Sequence, residues 1–162
     1  MKIEQFIDEF NKSEKKELYV KKHITTDYIP FERKVAVSEL IAKKMTLENG
    51  DLIKNTPMVY ENFILSLVRE YTDIEIDKDE SLTGFNLMER YGATECLVST
   101  IGRDAKSFNT ILDMIVADTI DNHNNLVNHL NLKADNIGFI LDKVQDVMQS
   151  LSMAPKVVIK KD

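Results

Sequence analysis

The 162 residues fit one ordinary domain, and a hydrophobic fraction of 43% supports a packed core. A net charge of −6 argues against a general duplex binder, which needs an excess of phosphate-neutralising cations, and the single cysteine excludes an intrachain disulfide framework. No apolar run approaches the ~18–20 residues that span a bilayer, and acidic residues stand where a signal peptide would be apolar, so no membrane or secreted protein is expected.

The charge is uneven. Residues 47–90 carry ten acids against four bases, an excess of six that equals the whole net figure. Residues 12–34 lean the other way, with Lys12, Lys15, Lys16, Lys21, Lys22, Arg33 and Lys34 against four acids. Such a segment reads first as a solvated lysine-rich face, and specific nucleic-acid binding is not expected from it.

Ile3, Phe6, Ile7 and Phe10 recur at i, i+3, i+4, i+7 and predict a short amphipathic helix. Ser13 is placed to cap a second helical piece through Val20, although Tyr19-Val20 and His23-Ile24 also suit a strand. Thr25-Thr26-Asp27 reads as a break. Pro30 suits a first helical turn, and Phe31, Val35, Val37, Leu40, Ile41 and Met45 carry a helix to about residue 45. Asn49-Gly50-Asp51 is a turn. Thr56-Pro57 marks a capped start, and Val59, Phe63, Ile64, Leu67, Val68 and Tyr71 give that helix a broad apolar face suited to the centre of the core.

Ile74-Glu75-Ile76 alternates too briefly to predict a sheet, and Asp77 to Gly84 reads as a polar loop. Phe85, Leu87, Met88 and Tyr91 predict a helix ended by Gly92, and Leu97, Val98 and Ile101 another ended by Gly102. A long helix follows from about Asp104, with Phe108, Ile111, Leu112, Ile115 and Val116 as its stripe. Asp121-Asn122-His123-Asn124-Asn125 is then either an exposed turn of one continuous helix or a break. Leu126, Val127, Leu130 and Leu132 resume the pattern. A last helix, from about Asp135 to Leu151, places Ile137, Ile140, Leu141, Val144, Val147, Met148 and Leu151 on one stripe. Pro155 ends it, and Val157, Val158, Ile159 and Lys160 form a β-branched tail suited to adding a strand to a partner's sheet edge.

No local pattern selects a catalyst. Asp77-Lys78-Asp79-Glu80-Ser81 opens like a calcium loop, but Leu82 stands where the sharp-turn glycine belongs and Met88 where the bidentate glutamate belongs. His123 and His129 are six apart, so they do not share a helix face as a metal pair would. Cys96, beside Leu97 and Val98, reads as a packed thiol. Neither nucleotide fingerprint nor nucleophile elbow is present. No catalytic residue, cofactor, metal or small-molecule substrate is expected.

Ile24-Thr25-Thr26-Asp27-Tyr28-Ile29-Pro30-Phe31, with Asn55-Thr56-Pro57-Met58 and Tyr71-Thr72-Asp73-Ile74-Glu75-Ile76, resembles small proteins encoded among the virion genes of tailed phages of low-GC Gram-positive bacteria. The similarity covers about residues 15–120 and includes no diagnostic catalytic or binding motif. It implies a head–tail connector or adaptor, a ring of subunits docked on a portal with arms reaching into neighbours.

The expected fold is all-α, a compact multi-helix bundle with long C-terminal helices and a short extended C-terminal arm. The expected division is a helical domain over 1–154 and an arm over 155–162. The expected role is a non-enzymatic phage structural or assembly protein in the virion or host cytoplasm. Its partners would be other copies of itself, the portal or tail components, with Val157, Val158, Ile159 and Lys160 as contact residues. The alternatives are a small phage or bacterial regulator that binds a host protein and, third, a nucleic-acid accessory using Lys12 to Lys34.

Overall fold

The computed structural model describes residues 1–48, 51–77, 79 and 81–152. Seven helices account for most of them: α1 (Ile3–Lys12), α2 (Lys16–His23), α3 (Phe31–Ala42), α4 (Thr56–Tyr71), α5 (Ser81–Arg90), α6 (Ala93–Ile101) and α7 (Arg103–Ser152). The expected all-α class holds. A short antiparallel pair interrupts it: β1 (Thr46–Glu48) meets β2 (Asp51–Ile53) in the register Thr46↔Ile53, Leu47↔Leu52, Glu48↔Asp51. Three residues a side give no period to read, so the strands were not foreseen. Asn49 and Gly50, read with Asp51 as a turn, lie outside the described residues, as do Pro155 and the whole of the predicted arm.

The chain divides into two units, Met1–Asp121 and Asn122–Asp162. The first holds the core. Phe6 and Phe10 of α1, Val20 of α2, Met88 of α5, Leu97 of α6 and Phe108, Leu112 and Val116 of α7 are all buried. Helix α4 lies at the centre as its broad apolar face predicts, since Phe63 to Val68 are buried without a gap. Phe63 meets Phe108 edge to face with centroids 5.5 Å apart, which ties α4 to the start of α7. Phe6, Phe10, Tyr19 and His23 form a second aromatic cluster between α1 and α2, with neighbouring centroids 4.9–6.5 Å apart.

Several helix ends differ from their sequence reading. Ser13 closes α1 instead of capping α2, which runs on through Tyr19 and Val20 to His23, and Ile24 beyond it makes an isolated antiparallel bridge to Thr72. Pro30 is extended, at the position just before α3, and α3 stops at Ala42, short of Met45. The cap of α4 is Asn55, whose side-chain oxygen accepts from Met58 N at 3.1 Å, one residue before the expected Thr56. Helix α5 begins at Ser81, so Ser81 to Gly84 are helical and not loop. Gly84 packs there against Ile3 and Ile76, and a Cβ would meet their side chains at 3.4–3.6 Å, an ordinary contact distance. Gly92 and Gly102 do end their helices with positive φ, 73° and 68°.

The second unit contains the remainder of α7. No break occurs at Asp121-Asn122-His123-Asn124-Asn125: the helix continues through the cluster, past Gly138, to Ser152.

Candidate functional site

The strongest polar constellation of the first unit joins three helices. Asp104, in the first turn of α7, accepts from Lys34 Nζ at 2.5 Å through one carboxylate oxygen. Through the other it accepts from Tyr71 Oη at 2.6 Å and from the Ile29 amide at 3.1 Å. Lys34 also donates to Ser107 Oγ at 3.4 Å, and its ammonium stands 5.2 Å from the Tyr28 ring centroid. Lys34 is only 3% exposed. Burial by itself pushes the Asp104 carboxyl up, but the Lys34, Tyr71 and Ile29 donors outweigh it and hold the group below its usual range. Burial, and then the Asp104 charge, drives the Tyr71 phenol far above its ordinary value.

The cluster is a latch between α3, α4 and α7. Both oxygens of Asp104 are engaged, and neither Asp104 nor Tyr71 is brought toward neutrality, where an acid or base would work. A cleft of about 530 Å³ opens beside it, lined by Tyr28, Phe31, Arg103 and Ile101, and its polar floor is this closed network. By spacing alone Tyr71 reads as an apolar core position and Lys34 as part of a basic face. One clue was available: Lys34, Val37, Ser38 and Ile41 have helical spacing, and all four are buried.

The other sequence candidates are placed as follows. Cys96 is half-buried, and burial pushes its thiol up, away from a reactive thiolate. Among the described residues no group of histidine, cysteine and carboxylate side chains is arranged to hold a metal ion. Asp77 pairs with Lys2 at 3.7 Å, while Met88 is in the core. His23 Nδ1 lies 2.9 Å from Asp73, and its ring packs on Phe6 and Tyr19. The basic segment is divided over elements and partly neutralised, with Lys34 on Asp104, Arg33 on Glu70 and Lys16 over the Phe10 ring.

The second unit presents a row of exposed apolar side chains. Leu126, Leu130, Leu132, Ile137, Phe139, Leu141 and Val144 are each between 51% and 64% exposed. Leu126, Leu130, Ile137, Leu141 and Val144 share one side of the helix, a face built to be covered, while Leu132 and Phe139 lie on the other side. Val157, Val158, Ile159 and Lys160, the residues expected to make partner contacts, lie outside the described residues.

No family model matches the chain, and no curated protein and no solved structure matches it. Among the described residues no helix is long and apolar enough to cross a membrane.

Proposed function

We propose that this is a non-enzymatic assembly protein that acts through protein–protein contacts, with the first unit as rigid body and α7 beyond Asp121 as contact device. The observation that carries this reading is the exposed apolar face from Leu126 to Val144. The body supports it, since the buried polar cluster Lys34–Asp104–Tyr71 is closed on itself as an internal latch. The setting comes from the resemblance of residues 24–31, 55–58 and 71–76 to small virion-gene proteins of tailed phages. On that footing the role is a head–tail connector or adaptor, found in the virion or the host cytoplasm, with the portal or tail components as partners. Val157 to Lys160 would add a strand-like second contact.

The test is a photo-crosslinking residue placed at Leu126, on that face of the full chain, expressed during phage infection. Cross-links to a structural protein of the particle are expected. Cross-links confined to a host regulatory or metabolic protein would replace this reading with that of a phage or bacterial regulator.

A further inference from the structure

The apolar residues of α7 change period near Asp121. In the first unit the buried positions are Ala105, Phe108, Leu112 and Val116, spaced three, four and four, as in a helix laid on a globular core. From Val127 the spacing becomes an alternation of three and four. It runs through Val127, Leu130, Ala134, Ile137, Leu141 and Val144, and the sequence continues it at Met148 and Leu151. An apolar pair repeated four times at seven-residue intervals belongs to a helix wound around partners of the same pitch.

We propose that α7 beyond Asp121 self-associates, with its heptad face packed against the same face of other copies of this chain; this rests on the contact role assigned above and names the partner. Two further observations favour a second copy over an unrelated groove. The first is area. Leu126, Leu130, Ile137, Leu141 and Val144 keep 51–63% of their surface, on the order of 100 Å² apiece. Two chains covering these alone approach the ~1,200 Å² at the low end of stable interfaces.

The second observation is charge. The positions that flank the seam on one side are Asn124, Asn131, Gly138 and Gln145, so identical chains meet there without like-charge repulsion. On the other side they are Leu126, Lys133, Ile140 and Val147, mostly apolar. An apolar third position widens the face and selects more than two helices. Leu132 and Phe139 lie seven apart on the opposite side of the helix, outside the seam.

Sedimentation equilibrium of the full chain, over a wide concentration range, tests this against two double variants. The wild type is expected at three or more times the single-chain mass. Leu130→Asp with Leu141→Asp should reduce it to one chain while leaving the melting transition of the body in place. Leu132→Asp with Phe139→Asp, on the far side, should leave the mass unchanged. A wild type that stays a single chain at every concentration overturns self-association, and so does a seam variant that keeps the full mass. Dissociation by the far-side pair alone overturns the assignment of the seam. The two readings fail separately: an oligomer dissolved by the seam variant, in a chain that cross-links to no virion protein, keeps this inference and removes the adaptor role.

Discussion

Helix α7 carries one kind of pattern to two different ends. Before Asp121 its apolar residues Phe108, Leu112 and Val116 are fully enclosed by the other helices; after it, Leu126, Leu130, Ile137, Leu141 and Val144 are more than half exposed. Periodicity therefore reports that a face is to be covered and says nothing of what covers it. The distinguishing information is in the exact period and in the polar neighbours. Near the body, the polar side chains of α7 form specific bonds, such as Asp104 to Lys34 and Asp113 to Lys54. Beyond it, asparagines dominate.

The comparison breaks first at its most buried points. Asp104→Ala strands the Lys34 ammonium in the core, and removing one partner of a buried pair costs about 3–5 kcal/mol. Urea unfolding should show a loss of that size; a loss under 1 kcal/mol would mean that the latch contributes little. Phe108→Ala should cost about as much, ~3–5 kcal/mol, by opening a cavity against Phe63.

Tyr71→Phe is expected to cost less, about 1.5–3 kcal/mol, since one hydrogen bond to a charged acceptor is lost and the ring remains. Leu130→Ala belongs at the other extreme. In dilute solution it should move the unfolding of the body by no more than about 0.5 kcal/mol, because the side chain is more than half exposed. A large effect would place that side chain in the fold of the subunit and remove the contrast between the two regions.

Acid sharpens the same contrast. The folded-state value of the Asp104 carboxyl lies below its ordinary value of ~3.9, so its contribution is complete above about pH 4 and is lost as pH falls through the folded value. Between pH 7 and pH 3 the wild type should therefore lose more stability than Asp104→Asn does. Equal acid limbs in denaturant titrations would show that other carboxylates govern the loss.

Much of the body was legible in the sequence because local rules and burial agree there. The four-residue stripe of α1, the central place of α4 and the glycine ends of α5 and α6 follow from spacing and from positive φ. What escaped was non-local or lacked a period. Lys34, Tyr71 and Asp104 come from elements far apart in the chain, and no local pattern joins a lysine to an aspartate 70 positions later. The β1–β2 pair is too short to alternate visibly. At the start of α4 Asn55 and Thr56 both offer a capping oxygen, and backbone geometry decides for Asn55. At Asp121 to Asn125 the composition allowed either a break or a continuous helix, and the helix prevails.

That continuity has a thermodynamic consequence. Asn122, Asn124, Asn125, Asn128, Asn131 and Gly138 each lower helix propensity relative to alanine, the asparagines by up to ~0.7 kcal/mol and the glycine by about 1 kcal/mol. A helix so composed draws most of its stability from packing rather than from its own hydrogen bonds. If copies of the chain supply that packing, the order of the segment is linked by mass action to protein concentration. Dilution then acts as a denaturant on one half of α7 and leaves the other half, anchored at Phe108 and Asp104, untouched.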